Sequence, residues 1–473
     1  MFLARHHAID SVFTFKDLGL DLQRPTNTQK YKCQEREPGA MTSESHHYCK
    51  NLMEVNKSHA VVTNQPIYNE QGILLLAPGS ELSEKRADIL LQHKLMKPLE
   101  ECVGIASSFS AKQLYEFINK FSANIAGLVA VTDSENHQRI LRQVCLYYEK
   151  FPLLQQNLTV LALRAPRIYY QGLFSAAAGL AIAIQLKLSQ KELQTVFIAG
   201  LYHDIGFLYL APELSQKTQE FSNDEWKALQ AHPIIAQRFL NLIPDLPKEI
   251  GSAIANHHER IDGTGYPFNV FGDKLPMVSQ IIAATDNIIF NHSRYQDYGV
   301  HAHAMLLTAL KLSDNIYFET VYDAAMVLFK HAPSPTTTLI EAPSADELLA
   351  RQKMLRQQFE NATFLSKKLM ALPADPMIRS VSAVMGRLAI SVVRSGILQQ
   401  EEWLSKSTQE HVAEDSLSLV EVSVMQDQIY DQLLHLKNIM ERVVEAIPAH
   451  DTPLKTLAEK ALNQIELQYA LTS

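Results

Sequence analysis

His203 and Asp204 stand side by side in this chain. His232 follows 28 residues after Asp204, the pair His257-His258 begins 25 residues later, and Asp286 lies 28 residues beyond His258. Imidazoles and carboxylates are the ligand types that divalent transition metals take: imidazole supplies affinity and orientation, and a carboxylate can bridge two cations and offset their charge. Asp286 adds a second argument. It shares a helical stripe with Val278, Ile282, Thr285 and Ile289, and an unpaired acid on a buried face is costly, so a metal or a cation should partner it.

Each interval between these residues has room for one helix and its connections. Ser189-Gln190-Lys191-Glu192 is a capping box that opens a helix with Val196, Ala199, Gly200 and His203 on one face. Gly206 stands where that helix should end, which puts His203 and Asp204 in its last turn. Ser222 to Glu225 is a second capping box, Pro233 suits the first turn of the next helix, and Pro247 begins the helix that delivers His257 and His258. Pro276 begins the helix that carries Asp286. After the histidine pair the chain runs Glu259-Arg260-Ile261-Asp262-Gly263-Thr264-Gly265-Tyr266-Pro267, a turn-rich loop whose glycines let backbone approach a ligand.

Taken together, His203-Asp204, His232-Pro233, the string from His257 to Pro267, and Asp286 resemble the HD-GYP family, the HD-superfamily phosphohydrolases that open cyclic di-GMP. The resemblance implies a mainly α fold: an all-helical HD-GYP domain, a small β-containing N-terminal module and a helical C-terminal region. It implies that His203, Asp204, His232, His257, His258 and Asp286 are metal ligands, with Asp204 and His203 catalytic and Asp204 bridging. It further implies a substrate edge made by Asp262, Gly263, Gly265, Tyr266 and Pro267, with Arg294 reaching a guanine or phosphate. The implied cofactor is a divalent metal cluster of up to two sites, iron or manganese rather than zinc. Two positions depart from the family. Gln171 stands where a further histidine ligand is usual, and a neutral amide binds transition metals weakly. Phe207 stands where a lysine normally neutralises phosphate charge.

The 473 residues are too many for one ordinary core. We read residues 1–53 as a disordered tail, with Met41 or Met53 as a candidate start. Residues 54–105 read as a β-rich module, with strands at Ala60–Thr63 and Ile73–Leu76 and a helix over Glu81–Lys94. Residues 106–165 form a helical lead-in, 166–330 the HD-GYP domain, 331–345 a Pro/Ser/Thr linker, and 346–473 a helical region. A net charge of −8 argues against general nucleic-acid binding. Four scattered cysteines and no evident signal peptide or membrane span suggest the cytoplasm; the Leu173–Ile184 stretch reads as too short to cross a bilayer.

Three readings follow: a phosphodiesterase for cyclic di-GMP or a related cyclic dinucleotide, a weakened receptor for the same ligand, or an interaction scaffold. The C-terminal helices would carry a homodimer contact or a protein partner.

Overall fold

The computed structural model describes residues 43–465 except 107, 126, 130–132, 217–221, 314–315, 331–342, 373–375, 398–403, 406–415 and 448–451. The described residues are mainly helical, with two small antiparallel sheets. They group into two compact units. One takes the chain up to His258 together with Pro276–Arg294; the other takes Glu259–Leu275 and the chain from Tyr295 onward.

The first unit opens with a helix over Ser43–Asn56, which corrects the reading of residues 43–53 as tail. Tyr48, Cys49, Leu52 and Val55 form a buried helical stripe there, hidden in the sequence among His, Lys and Glu. Tyr48 stacks on Tyr209 at 4.9 Å between ring centres, and Asn51 Nδ2 donates to the Leu208 carbonyl at 2.8 Å. The short strands follow. Val61–Thr63 pairs with Val103–Ile105 in the register Val62 opposite Gly104, and Ile67–Tyr68 pairs with Leu74–Leu76. The helix of this module spans Glu84–Leu91, shorter than the expected Glu81–Lys94.

Helices over Ala111–Ser122, Glu135–Tyr148 and Pro152–Arg164 then lead to the central pair, Pro166–Gln185 and Gln190–Tyr202. These two cross closely because glycines remove side chains at the crossing. A Cβ on Gly172 would lie 2.6 Å from the Leu201 carbonyl oxygen, and one on Gly200 would lie 2.7 Å from that of Ser175. Pro166 at the first helical position starts the Pro166–Gln185 helix earlier than its alanine-rich core suggested. By length and composition it could cross a membrane, which corrects the expectation that no segment could; 89% of its apolar window is buried inside the structure.

In the second unit, Ser344 caps a 25-residue helix over Ala345–Leu369, which packs with helices over Pro376–Ser395 and Ser416–Ala446. Tyr295, Met305, Ala309, Val420 and Val424 form one of its buried clusters. Most of the expected linker lies outside the described residues.

Candidate metal centre

The capping box at Ser189 is formed in both directions, with the Ser189 side chain accepting from Glu192 N and Glu192 reaching back to Ser189 N. It launches the helix whose C-cap is His203. Asp204 follows in an irregular conformation, and a short 3₁₀ turn, Ile205–Tyr209, comes next. Gly206 lies inside that turn rather than at its end. A Cβ there would sit 2.1 Å from the His232 carbonyl oxygen, so glycine lets the turn lie directly on the start of the His232–Asn241 helix. The Lys248–Ala255 helix ends just before His257 and His258, and Asp286 comes from the middle of the Met277–Tyr295 helix.

All six residues expected as ligands converge within the first unit. Ligand atoms of Asp204, His232, His257 and His258 lie within 4.8 Å of one another. Asp204 turns one oxygen, Oδ1, toward His232 Nε2 at 3.0 Å and His257 Nε2 at 3.7 Å. Its other oxygen, Oδ2, faces His203 Nε2 at 3.4 Å. Asp286 closes the far side, 4.0 Å from His203 Nε2 and 4.0 Å from His258 Nδ1.

Three of the imidazoles are aimed in the same way. His203, His232 and His257 each hold Nδ1 against the backbone carbonyl three residues earlier, Gly200 at 2.8 Å, Leu229 at 2.7 Å and Ile254 at 2.6 Å. A carbonyl can only accept, so Nδ1 carries the proton in each ring and Nε2 is left to present a lone pair inward. Asp204 Oδ1 and the Nε2 atoms of His203 and His257 are buried without a hydrogen bond of good geometry. Oriented nitrogens converging on a buried carboxylate are a donor set that fits divalent metal.

The electrostatics agree. Burial alone would lower the His203 pKa, but the Asp204 charge and contact, reinforced by Asp286, push it up to about 9. Asp204 is held well below the carboxylate range by His203 and its other imidazole contacts, despite burial. Burial takes His257 down to about 4 and His258 well below its ordinary value, helped by neighbouring rings. Burial also raises Asp286 to about 6. Two buried carboxylates thus demand positive charge, a demand that metal ions meet.

The two departures have structural counterparts. Phe207 is buried and stacks on His232 at 4.5 Å between ring centres, so it braces that imidazole. Gln171 is 5% exposed, and its Oε1 has no hydrogen-bond partner.

The Asp262–Pro267 loop belongs to the second unit. Asp262 accepts from Thr264 N at 3.0 Å and from Thr264 Oγ1 at 2.6 Å, and pairs with Arg387. Its carboxylate is therefore engaged within the protein. Gly263 has a positive φ of 72°, and a Cβ there would lie 2.8 Å from the Phe271 ring. Gly265 is buried, Tyr266 and Pro267 are half-buried, and the peptide joining those two is cis. Arg294 is half-buried near the end of its helix. Sequence reasoning passed over Glu259, whose carboxylate accepts from the backbone N–H groups of Phe268, Asn269 and Val270 at 2.6, 3.0 and 3.0 Å. It also passed over Arg387, about which no local motif gives a signal.

Residues 154–312 match the family model described as "HD domain". Among curated proteins, the chain is 34% identical over 113 residues to the cyclic di-GMP phosphodiesterase response regulator RpfG of Xanthomonas campestris pv. campestris, a match covering 24% of this chain and 30% of RpfG. It is 34% identical over 105 residues to 3'3'-cGAMP-specific phosphodiesterase 3 of Vibrio cholerae, covering 22% and 23%. The matched stretch thus spans less than a third of either relative. A solved structure, Bd1817, a HDG"Y"P protein from Bdellovibrio bacteriovorus, covers 57% of this chain and 95% of its own at 14% identity, with a TM-score of 0.30. The stretch 154–312 that matches the HD domain model contains a buried histidine–aspartate cluster that could hold a metal ion.

Proposed function

We propose that this protein is a metal-dependent phosphodiesterase acting on cyclic di-GMP or a closely related cyclic dinucleotide. The observation that carries the reading is the common aim of His203, His232 and His257, each fixed through Nδ1 and turned by Nε2 toward Asp204. The substrate class is supported by the relatives named for cyclic di-GMP and 3'3'-cGAMP.

His203, Asp204, His232, His257, His258 and Asp286 would hold the metal. Iron or manganese is the metal we favour, from the resemblance to HD-GYP proteins. Bound there, divalent metal supplies Lewis-acid activation of water and of the phosphate. The Asp204 carboxylate orients the attacking water, and the buried rings exclude bulk solvent. Water oxygen bonds to phosphorus, one ester P–O bond breaks, and the departing sugar oxygen takes up a proton to give a linear dinucleotide. The loop from Asp262 to Pro267 and Arg294 are our candidates for substrate contact. We place the protein in the cytoplasm, with its C-terminal helices as the surface for a second copy or a protein partner.

A second reading, a receptor that binds the dinucleotide without cleaving it, is favoured by Gln171 and by Phe207, which braces His232 where a cation would serve the phosphate. His257→Ala and Asp204→Ala separate the two. Both should lower turnover by at least about a thousandfold while leaving the helical circular dichroism intact. Full activity in both variants refutes the enzyme, and dinucleotide binding without product in the unmodified protein selects the receptor.

A further inference from the structure

Away from the metal centre, the first unit holds a cavity of about 310 Å³ between residues 94–100 and the His232–Asn241 helix. That volume lies at the small end of the range that small-molecule sites occupy. Its walls are fixed by the fold. Met96 N donates to the Tyr68 carbonyl at 2.9 Å, and Glu70 N to that of Lys94 at 3.0 Å. Tyr209, which ends the turn after Asp204, is stacked on Tyr48 and lies 6.2 Å from Phe239 between ring centres. Met96, Phe239 and Leu242 give the cavity an apolar side, and Met96 is 57% exposed.

The charges lining this cavity are unevenly matched. Lys94 is paired with Glu70 at 2.5 Å, and Arg238 with Glu44 at 3.5 Å. Glu100 and Lys97 remain. Glu100 is 6% exposed, and among the described residues no cation lies within ion-pair distance of its carboxyl. Burial pushes that carboxyl up, as expected of an acid withdrawn from water without a counter-charge. Tyr209 is 5% exposed, and its hydroxyl, beside Glu100, makes no hydrogen bond of good geometry. Lys97 is exposed, and its Nζ donates to the neutral Gln65 Oε1 at 3.1 Å. One cavity thus carries a buried acid lacking a cation, an exposed ammonium lacking an anion, and an apolar wall.

We propose that this cavity binds a small zwitterion of the amino-acid class with an apolar side chain, its ammonium held by Glu100 and Tyr209 and its carboxylate by Lys97. Glu100 and Lys97 are three residues apart in one segment, so a ligand that reaches both carries its two charges close together, as on one α-carbon. The apolar wall takes the side chain, and each charged group gains a charge-assisted hydrogen bond. The assignment is independent of the reaction at the metal centre.

The test is calorimetric titration of the full-length protein with L-leucine, L-methionine and L-phenylalanine. At least one should bind saturably. For the leucine skeleton, 3-methylbutylamine and 4-methylpentanoate each lack one charge and should bind about tenfold more weakly than the amino acid. Glu100→Gln should lose about tenfold in amino-acid affinity yet leave 4-methylpentanoate binding unchanged, and Lys97→Met should do the same for the amino acid while sparing 3-methylbutylamine. A variant that merely misfolds would lose both kinds of ligand, so the selective losses report the contacts themselves. No saturable binding of any of the three amino acids at millimolar concentration overturns the proposal. So does amino-acid binding that is indifferent to both substitutions.

Discussion

At the scale of single residues, the site depends on ring orientation as much as on ligand identity. Phe207 is the clearest case. Its stack on His232 fixes that ring about its inward axis, so Phe207→Ala should weaken metal binding by about tenfold, as loss of a ligand's supporting contact typically does. Metal titration of the apo-protein checks this; unchanged affinity would mean that the carbonyl of Leu229 alone suffices to hold the ring. Gln171→His offers the converse experiment. A histidine at this buried position should raise metal occupancy beyond the natural protein if Gln171 borders the side of the cluster bounded by His203 and Asp286. That these histidines and aspartates would converge was legible in the sequence, because chemistry restricts the types of candidate ligands and the intervals restrict their elements. The carbonyls of Gly200, Leu229 and Ile254 were not legible, since backbone acceptors leave no residue-type signature.

At the scale of elements, close approaches at Gly172, Gly200 and Gly206 position the helices and the turn around the centre, and each depends on the absence of a Cβ. Gly206→Ala would force a Cβ to within 2.1 Å of the His232 carbonyl oxygen. Moving that turn should cost about 1–3 kcal/mol of stability and disturb Asp204 and His232 together, so the thermal midpoint and the metal content should fall in the same variant. In the second unit, Arg387 and Asp262 form a pair whose side chains are 7% and 18% exposed. Arg387→Met leaves the Asp262 charge poorly compensated and should destabilise by about 3 kcal/mol or more, whereas Arg387→Met with Asp262→Asn should recover part of that loss. Denaturant titration of the single and double variants measures the difference. Capping boxes and prolines made the helix starts around the centre readable in advance. The Ser43–Asn56 helix escaped because its stripe of Tyr48, Cys49, Leu52 and Val55 is brief and interrupted by charge, and because it is fixed by contacts such as Tyr48 on Tyr209 that lie far away in sequence. The Arg387–Asp262 pair escaped for the same reason.

At the scale of the whole molecule, pH and metal should both set stability. His137 is 1% exposed, neither ring nitrogen has a hydrogen-bond partner, and burial lowers its pKa from 6.5 to about 4. The unfolded chain therefore takes up this proton first as pH falls. The associated stability is fully present above about pH 6.5 and is lost between there and about pH 4, by up to roughly 3 kcal/mol. His137→Leu should flatten that acid limb in a pH series of denaturant melts; an unchanged limb would place the acid sensitivity elsewhere. Metal bound at about a hundred times its Kd should stabilise the fold by about 2.7 kcal/mol, so chelation should lower the thermal midpoint. The most direct test of the account joins metal to chemistry: cyclic di-GMP turnover by protein purified without oxygen and reconstituted with Fe(II) or Mn(II), with metal content measured on the same sample. The account predicts linear product in proportion to bound metal and none after chelation. Product formation that is independent of metal, or a metal-replete protein that leaves cyclic di-GMP and 3'3'-cGAMP intact, would contradict it.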